Sequence, residues 1–409
     1  MLLAACMEVP PRNPSAGPRV ALTCNYSPWS QYSGGGQRST HNLATALARR
    51  GRDVTVVFTR APWERVRPPA DLAYALRWAG LINVRGNSPG PLRLTSAPTV
   101  AARVAAFGRS GQPLVVHSQG EEAALLPELR RVIPRFGLLV TPRYPSFPDA
   151  LMHWRDRSNW QRLRLAWGDT KYLALGHALR GADLCCPPSA FGGRLIQEAF
   201  TLPDEQVVPV HNGVPEEFLA HHWRVPADLA EFRRRPLLFF GRFSHDKGID
   251  VVIDAAARIP DLQVLLVGRG DHQPVYARQI EALGLSERVR FHGWADHHTL
   301  GKLLAEASIA LLPSQHENLS LAMLSALAVG TPLVTTPVGG TPEIMQDGTH
   351  GLLVPPDDAD ALARAIERLR TDLSFARTLA LTGKQHVREN YTWDRAAQKF
   401  EALYERACA

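Results

Sequence analysis

The chain has 409 residues, of which 45% are apolar and 21% charged, and its formal net charge at pH 7 is +7. This length exceeds one ordinary core and fits two α/β domains of roughly 200 residues each. No apolar run is long enough to span a bilayer, which argues against a transmembrane protein. The five cysteines suit neither a disulfide framework nor a metal site, so we expect a reducing cytoplasm.

The charge is divided unevenly along the chain. Residues 1–214 carry a net charge of +11, whereas residues 215–409 carry −4. A basic N-terminal half predicts contact with something anionic, such as a membrane surface, an acidic acceptor or nucleic acid. The alternative is a solvated basic face in an arginine-rich protein, because net charge bears on association and not on fold.

The first structured segment reads as a βαβ unit. A buried strand is predicted at residues 20–24, followed by a glycine-rich loop at residues 33–36 and an amphipathic helix. The next strand, at residues 54–58, implies a parallel sheet. A further strand at residues 114–117 delivers His117 at its carboxyl end.

Five apolar strand candidates follow in the second half, with starts 20 to 27 residues apart. This spacing holds one strand and one crossover helix in each repeat. The candidate strands begin at Leu237, Val264, Val289, Ile309 and Leu333. Because ligands bind beyond the carboxyl ends of parallel strands, the polar loops after these strands are expected to meet at one cleft.

The predicted fold class is therefore α/β, with two domains. We expect an N-terminal domain at residues 18–214 and a C-terminal domain at residues 215–384, separated by a turn. The C-terminal helix, at residues 385–409, is predicted to pack back on the N-terminal domain. Residues 1–17 are interpreted as a disordered leader.

Arg242 and Lys247 flank a predicted strand-to-helix turn. A guanidinium can bridge two phosphate oxygens, an ammonium adds a compact charge, and a helix N-terminus adds oriented N–H donors. Alone, this pair is more typical of a solvated loop. Here it follows the apolar strand at residues 237–240, which predicts a site for a nucleotide diphosphate.

Glu317 lies in the loop between the strand that begins at Ile309 and the next helix. A carboxylate at this face can accept hydrogen bonds from sugar hydroxyls, and the amides that follow it lie at a helix N-terminus. The alternative is a capping role for Glu317 or Ser320. Beside the phosphate motif, the pattern favours sugar binding.

An ordered set of short motifs carries a family resemblance that runs from about Arg19 to the C-terminus. The motifs are Gly34-Gly35, Asn212-Gly213-Val214, Gly241-Arg242, Lys247-Gly248, Gly268-Arg269-Gly270, Glu317, Gly330-Thr331-Pro332, and Gly339-Gly340 with Glu343. In this order they resemble glycosyltransferase family 4. The resemblance implies the GT-B fold, in which two Rossmann-like domains face each other across a cleft.

The same resemblance implies an activity. A hexose-type sugar would pass from a UDP- or GDP-linked donor to a glycan, lipid-linked or small-molecule acceptor, with retention at the anomeric carbon and without a metal or other cofactor. The residues implied as catalytic are His117, Arg242, Lys247 and Glu317. Those implied as donor-binding are Gly34, Gly35, Gly241, Gly268, Gly270, Trp294, Asn318, Leu319, Ser320, Leu321 and Ser325.

Two positions leave alternatives open. The family usually has a second glutamate eight residues after the first, where it holds the ribose hydroxyls, but Ser325 stands there. Ribose binding is then expected to be weaker or water-mediated, and a non-catalytic sugar-nucleotide-binding scaffold is the alternative function. For His117, the alternative to lining the sugar site is a histidine satisfied at a strand end.

Rival functions have less support in the sequence. The segment at residues 267–270 suggests a nicotinamide-linked oxidoreductase, but it lacks the third glycine of that fingerprint. No recognisable module supports a nucleic-acid partner. We therefore expect a cytoplasmic protein that binds a nucleotide-sugar, with an unknown acceptor and a peripheral contact to the anionic inner face of a membrane.

Overall fold

The computed structural model describes residues 17–31, 33–81, 95–108, 111–143, 158 and 170–408. Of the predicted leader, all but Gly17 lies outside the described residues. Two parallel six-stranded sheets organise the chain, and helices pack on them. We call the described residues up to 213, together with the last helix, the N-lobe, and residues 214–390 the C-lobe.

The N-lobe is built on a sheet with strand order β3-β2-β1-β4-β5-β6. The strands are β1 Arg19–Cys24, β2 Val54–Arg60, β3 Ala75–Gly80, β4 Leu114–Ser118, β5 Phe136–Val140 and β6 Leu184–Cys185. The helices that connect or follow these strands are α1 Gly35–Arg49, α2 Ser96–Gly108, α3 Thr170–Gly181 and α4 Ala190–Phe200.

The C-lobe repeats this topology, with strand order β12-β11-β10-β7-β8-β9. Its strands are β7 Leu237–Arg242, β8 Val264–Arg269, β9 Val289–Gly293, β10 Ala310–Leu312, β11 Leu333–Thr335 and β12 Leu352–Leu353. Its helices are α5 Glu216–Leu219, α6 Leu229–Arg234, α7 Ile249–Arg258, α8 Gln273–Ala282, α9 His297–Glu306, α10 Leu321–Val329, α11 Thr341–Ile344, α12 Ala359–Thr371 and α13 Leu373–Asn390.

The apolar pattern of the sequence accounts for these elements. In β2, Val56, Val57 and Phe58 are all fully buried, as expected for a parallel strand that is covered on both faces. In α7, the residues at helical spacing from Ile249 to Ala256 are buried against the sheet. The predicted strand starts in the C-lobe are confirmed, except that β10 begins one residue late, at Ala310.

In each sheet, the order in which successive strands are added reverses at the first strand of the lobe. β1 pairs with β2 on one side and β4 on the other, and β7 pairs likewise with β8 and β10. In open parallel sheets, such a switch point leaves a crevice at the carboxyl ends of the strands. The two crevices are where the glycine-rich loop before α1 and the Arg242–Lys247 turn are found.

The last helix, α14 Trp393–Cys408, returns from the C-lobe to the N-lobe. Its Glu401 accepts hydrogen bonds from Arg50 and Arg52, at 3.0 Å from Arg50 Nη2 and from Arg52 Nε. Residues 385–390, which were predicted to belong to this terminal helix, form the end of α13 instead. In the described part of the chain, no helix combines the length and apolar character needed to cross a membrane.

Candidate functional site

A cleft of about 900 Å³ opens between the two lobes at the carboxyl ends of the strands. Its N-lobe wall is the start of α1, and its C-lobe wall is formed by the loops after β7, β8 and β9. Seven residues that the sequence assigned to the site line it: Gly34, Gly35, Gly241, Arg242, Gly268, Gly270 and Trp294. The cleft is therefore assembled from both lobes, as their topology predicts.

Gly241 and Gly268 allow the loops after β7 and β8 to approach each other. Both residues have positive φ angles, +152° and +145°. A Cβ atom on Gly268 would overlap the carbonyl oxygen of Gly241, which is backbone and cannot move aside. Only glycine meets both requirements, so a side chain at position 268 would push the two loops apart.

The basic residues of the site occupy different positions. Arg242 is the last residue of β7, is exposed, and lines the cleft. The Lys247 ammonium donates to Glu317 Oε1 at 2.8 Å, and Ser314 Oγ donates to the same oxygen at 3.1 Å. Lys247 and Glu317 thus form one ion pair, although 70 residues separate them in the sequence.

Asp246 is the carboxylate next to this pair. Burial alone would raise its pKa, but the hydrogen bond from Ser244 and the charge of Lys247, 3.3 Å away, hold the pKa below its usual value. Asp246 therefore stays ionised and keeps Lys247 between two carboxylates. The ammonium is positioned by both, at 3.3 Å from Asp246 and 2.8 Å from Glu317.

Two glycines, Gly339 and Gly340, pack against the backbone of the Glu317 loop. Gly339 has φ +60°, and a Cβ atom there would overlap the carbonyl oxygen of Glu317. The N–H of Gly340 donates to the carbonyl oxygen of Asn318 at 2.9 Å. This packing fixes the backbone of Glu317 and so helps to fix the position of its carboxylate.

The three residues after Glu317 have structural contacts. Asn318 meets the N-lobe, since Ser189 Oγ donates to its Oδ1 at 2.5 Å. Leu319 is 7% exposed and belongs to the C-lobe core. Ser320 caps α10 by accepting from the N–H of Met323 at 3.2 Å, which is the capping alternative that the sequence left open.

A smaller cavity of about 200 Å³ adjoins the cleft and shares Gly35 with it. Leu321 and Ser325, both assigned to donor binding, lie in its wall. The Ser325 hydroxyl donates to the carbonyl oxygen of Leu321 at 2.9 Å, within its own helix. The serine is therefore satisfied locally and leaves open space beside it.

His117 lies away from this group. It is fully buried; its Nε2 lies 2.7 Å from Thr141 Oγ1 and its Nδ1 lies 2.8 Å from Tyr404 Oη. Because the Thr141 hydroxyl donates to the Cys186 carbonyl, we assign the imidazole proton to Nε2. Burial lowers the pKa of His117 to about 3, so the ring is neutral. This geometry matches the alternative of a histidine satisfied at a strand end.

Several residues of the cleft were not identified from the sequence. Arg38, in the first turn of α1, lines both the cleft and the smaller cavity. The guanidinium of Arg269 lies 6.0 Å from the ring centroid of Trp294, which is 56% exposed. A basic residue soon after the glycine-rich loop was the one available signal for Arg38.

Glu343 joins the lobes beside the Glu317 loop. Its carboxylate accepts hydrogen bonds from the N–H groups of Ala190 and Phe191, at the start of α4, and from His211 Nε2, all at 2.8 Å. Burial would raise its pKa, but these three donors hold the pKa of Glu343 below the usual value. A C-lobe carboxylate thus caps an N-lobe helix.

Models of known protein families match segments of both lobes. The model "Glycosyltransferase Family 4" matches residues 33–218, and the model "Glycosyl transferases group 1" matches residues 234–372. Glycogen synthase of Mycobacterium tuberculosis is 27% identical over 386 residues, with 91% of each chain covered.

Other relatives match over shorter segments. An uncharacterized glycosyltransferase of Methanocaldococcus jannaschii is 30% identical over 218 residues, which is 50% of this chain and 55% of that protein. A lipopolysaccharide core biosynthesis glycosyltransferase of Rhizobium meliloti is 37% identical over 36% of this chain and 43% of its own length. These matches span about half of each relative.

Solved structures share the fold. Sucrose-phosphate synthase of Thermosynechococcus elongatus superposes with a TM-score of 0.74 at 24% identity and covers 95% of this chain and 98% of its own. HepE of Anabaena, solved in complex with UDP, superposes with a TM-score of 0.68 at 19% identity and covers 94% and 99%. With its two Rossmann-like lobes and both family models matched, the chain belongs to glycosyltransferase family 4 and has the GT-B fold.

Proposed function

We propose that the protein transfers a hexose-type sugar from a nucleotide-sugar, UDP- or GDP-linked, to an acceptor held by the N-lobe. Arg242 carries this proposal, because it projects a guanidinium into the interlobe cleft from the switch point of the C-lobe sheet. A solved neighbour with the same fold, HepE, supports a nucleotide-sugar donor, since its complexes contain UDP or UDP-glucose.

The leaving diphosphate would bind the positively charged side chains of Arg242 and Lys247. Arg242 is free to bridge two phosphate oxygens, and the Lys247 ammonium lies on the same strand-to-helix turn. Together they would stabilise the negative charge that develops when the bond from the anomeric carbon to the diphosphate breaks. On this proposal the charge stabilisation comes from side chains, and no metal or other cofactor is required.

Glu317 is proposed to act on the sugar. Its Oε1 is occupied by Lys247 and Ser314, so Oε2 is the oxygen that remains for sugar hydroxyls. The ion pair fixes the direction of the carboxylate. The donor sugar would then be held over Glu317, with its diphosphate toward Arg242.

We propose that the anomeric configuration is retained through front-face attack. The acceptor oxygen forms its bond to the anomeric carbon on the side from which the diphosphate leaves, and its proton passes to a diphosphate oxygen. Glu317, the carboxylate proposed to lie at the sugar, is paired with Lys247 and is therefore a weak nucleophile for a double displacement. Proton NMR of the first product would show the configuration, and an inverted product would contradict this mechanism.

A basic face of the N-lobe is proposed to meet an anionic surface, with a membrane as the favoured partner. Exposed Arg60 ends β2, and the segment that follows carries exposed Arg65 and Arg67 with Trp63, which is 58% exposed. Basic side chains interleaved with tryptophan suit the interface of an anionic membrane. This edge of the sheet also faces the cleft, so the surface would lie near the acceptor.

Calorimetric binding of UDP and GDP to the Arg242→Ala variant tests the donor assignment. Loss of a charge-assisted hydrogen bond costs about 1.5 to 3 kcal/mol, which corresponds to roughly 10- to 150-fold weaker binding. Arg290→Ala is the matched control, because Arg290 is an exposed C-lobe arginine whose side chain is 64% accessible. Equal affinity of the Arg242→Ala variant and the unmodified protein would rule out the assignment.

A further inference from the structure

Arg143 lies just after the carboxyl end of β5, beside the glycine-rich loop that lines the cleft. The glycine-rich loop passes over it, because a Cβ atom on Gly36 would meet Arg143 Cδ at 3.3 Å. The neighbouring residues Gly34 and Gly35 line the interlobe cleft. Arg143 thus packs against Gly36, the residue that directly follows the two glycines of the cleft wall.

The partners of Arg143 are neutral. Its Nε donates to Gln119 Oε1, and its Nη1 donates to Asn212 Oδ1 at 2.8 Å. Among the described residues, no carboxylate forms an ion pair with it and Nη2 has no hydrogen-bond acceptor. A part-buried guanidinium positioned by two amide oxygens retains its full charge for a ligand.

Gln119 supplies a second, independent observation. The residue is 6% exposed, and its Nε2 is a buried donor without a partner among the described residues. The orientation of the amide follows from Arg143, which can only donate and therefore requires Oε1 on its side. An unsatisfied N–H beside an unpaired guanidinium calls for a ligand that accepts hydrogen bonds and carries negative charge.

The nearby carboxylates do not meet this demand. Glu122 Oε1 accepts from Ser118 Oγ and from the N–H of Gln119, both at 2.9 Å, and Glu121 Oε1 accepts from Asn25 Nδ2 at 3.2 Å. Both side chains are buried, and these hydrogen bonds are all to residues other than Arg143. Among the described residues, no carboxylate pairs with the side chain of Arg143 or Gln119, which leaves the two side chains available to an anionic ligand.

We propose that Arg143 and Gln119 form an anion subsite for the acceptor, so that the acceptor carries a phosphate or a carboxylate near the hydroxyl that receives the sugar. This inference rests on the proposed transferase function, because it places an acceptor in the N-lobe wall of the cleft. Asn212, at the start of the connection to the C-lobe, orients the guanidinium. The subsite accounts for two polar groups that the donor does not use.

Binding of three small probes tests the subsite: glucose 6-phosphate, glucuronate and glucose, titrated calorimetrically into the UDP-saturated protein. We expect one or both anionic probes to bind at least about tenfold more tightly than glucose, since each charge-assisted bond adds roughly that factor. The two anionic probes distinguish a phosphate-bearing from a carboxylate-bearing acceptor. If both anions bind no better than glucose, the proposal is wrong.

Variants locate the binding. Arg143→Ala is expected to remove the preference for anions, and Gln119→Glu is expected to do the same by giving Arg143 an internal carboxylate partner. Arg131→Ala is the control, because it removes an N-lobe arginine whose side chain is 82% accessible. Melting temperatures establish that each variant is folded, and the near-isosteric Gln119→Glu change keeps the test valid if Arg143→Ala fails to fold.

UDP affinity separates this proposal from the proposed function. UDP should bind the Arg143→Ala variant within about twofold of the unmodified affinity, because the proposed diphosphate site uses Arg242. A variant that loses UDP affinity but keeps the preference for anionic probes would assign Arg143 to the donor and overturn the acceptor subsite. Failure of UDP to bind the unmodified protein would instead refute the proposed donor site.

Discussion

The pairing of Lys247 with Glu317 constrains what each residue can do. At 2.8 Å the two charges form an ion pair, and the side chain of each is less than 20% accessible. Removing Lys247 would leave a part-buried carboxylate without its counter-charge, so a loss of activity in a Lys247 variant has two explanations. Arg242 is exposed and, among the described residues, forms no such ion pair, so its variants report on the ligand more directly.

Replacing Glu317 by Gln tests the proposed contact with the sugar. The amide can still accept from Lys247, so we expect nucleotide affinity to stay within about threefold, whereas turnover falls on the order of 100-fold. UDP release under saturating donor gives the rate, and calorimetry gives the affinity. Equal losses in both would place Glu317 at the nucleotide or in a purely structural role.

Glu122 is a buried acid with consequences for stability. Burial, with the charge of Glu121 next to it, raises the pKa of Glu122 to about 7, well above that of an exposed glutamate. The folded protein therefore keeps this proton at pH values where the unfolded chain has lost it. As pH rises from about 4.5 to 7, this group progressively destabilises the folded state, and above pH 7 the penalty is constant.

The Glu122→Gln variant should remove that penalty. We expect its free energy of unfolding, relative to the unmodified protein, to improve by roughly 2 kcal/mol between pH 5 and pH 8. Urea denaturation at the two pH values measures the difference. The exposed Glu128→Gln substitution is the control, and a pH-independent difference for Glu122→Gln would show that the carboxyl ionises alike in both states.

At the level of single residues, the local sequence pattern predicts where a residue lies in the fold better than it predicts which residues surround it. Arg242 and Gly268 lie where the strand ends put them, because a parallel strand sends its next loop to one known edge. His117 also lies at its predicted strand end, but Tyr404, 287 residues later, fills the space beside its ring. No local sequence feature reveals such a long-range contact.

Among the elements, α4 is distinctive because its N-terminus is capped from the other lobe. Ser189 accepts from the N–H of Gly192 at 2.9 Å, and the Glu343 carboxylate takes the N–H groups of Ala190 and Phe191. A Cβ atom on Gly192 would collide with the Asn318 side chain. The helix N-terminus, the Glu317 loop and Glu343 thus form one continuous interlobe contact.

Glu343→Gln tests this contact. Glutamine cannot accept from both helix N–H groups and His211 with full charge, so we expect the melting temperature to fall, with a loss of about 1.5 to 3 kcal/mol in stability. Turnover should fall with it, whereas the affinity of the C-lobe for UDP should hold. Glu287→Gln, at a side chain that is 94% accessible, is the control. An unchanged melting temperature would show that the interlobe contact contributes little.

How far the elements follow from sequence depends on their length and periodicity. The C-lobe strands and α7 were predictable because their apolar residues recur at regular spacing. β3 and α2 lie in the Pro- and Gly-rich segment at residues 68–113 and were not placed. β3 is an edge strand in which only Ala79 is fully buried, so its apolar signal is weak. β12 has only two residues, which is too short to show an apolar periodicity in the sequence.

For the whole molecule, charge and topology act together. The N-lobe half carries the positive charge, and its sheet turns its carboxyl edge toward the cleft. α14, which follows the end of the C-lobe, is held on the N-lobe by Glu401 and Tyr404, so this helix reinforces the lobe that would hold the acceptor. An anionic surface that attracts the N-lobe would also bring the cleft close to that surface.

Vesicle co-sedimentation tests the proposed membrane contact. Vesicles with about a third anionic phospholipid should bind the protein at low salt and release it in high salt, because the screening length shrinks from about 10 Å at 0.1 M to about 3 Å at 1 M. The Arg65→Glu, Arg67→Glu double variant should weaken binding at least tenfold, since each basic side chain near such a surface contributes about 1 kcal/mol.

Two outcomes decide whether the basic face or the net charge is responsible. Arg258→Glu with Arg290→Glu changes the net charge equally but on the C-lobe, at side chains that are 44% and 64% accessible. If the exposed segment after β2 is the contact, only the N-lobe variant loses binding. Equal losses in both would mean that net charge alone attracts the protein, and equal binding to neutral vesicles would remove electrostatics from the interaction altogether.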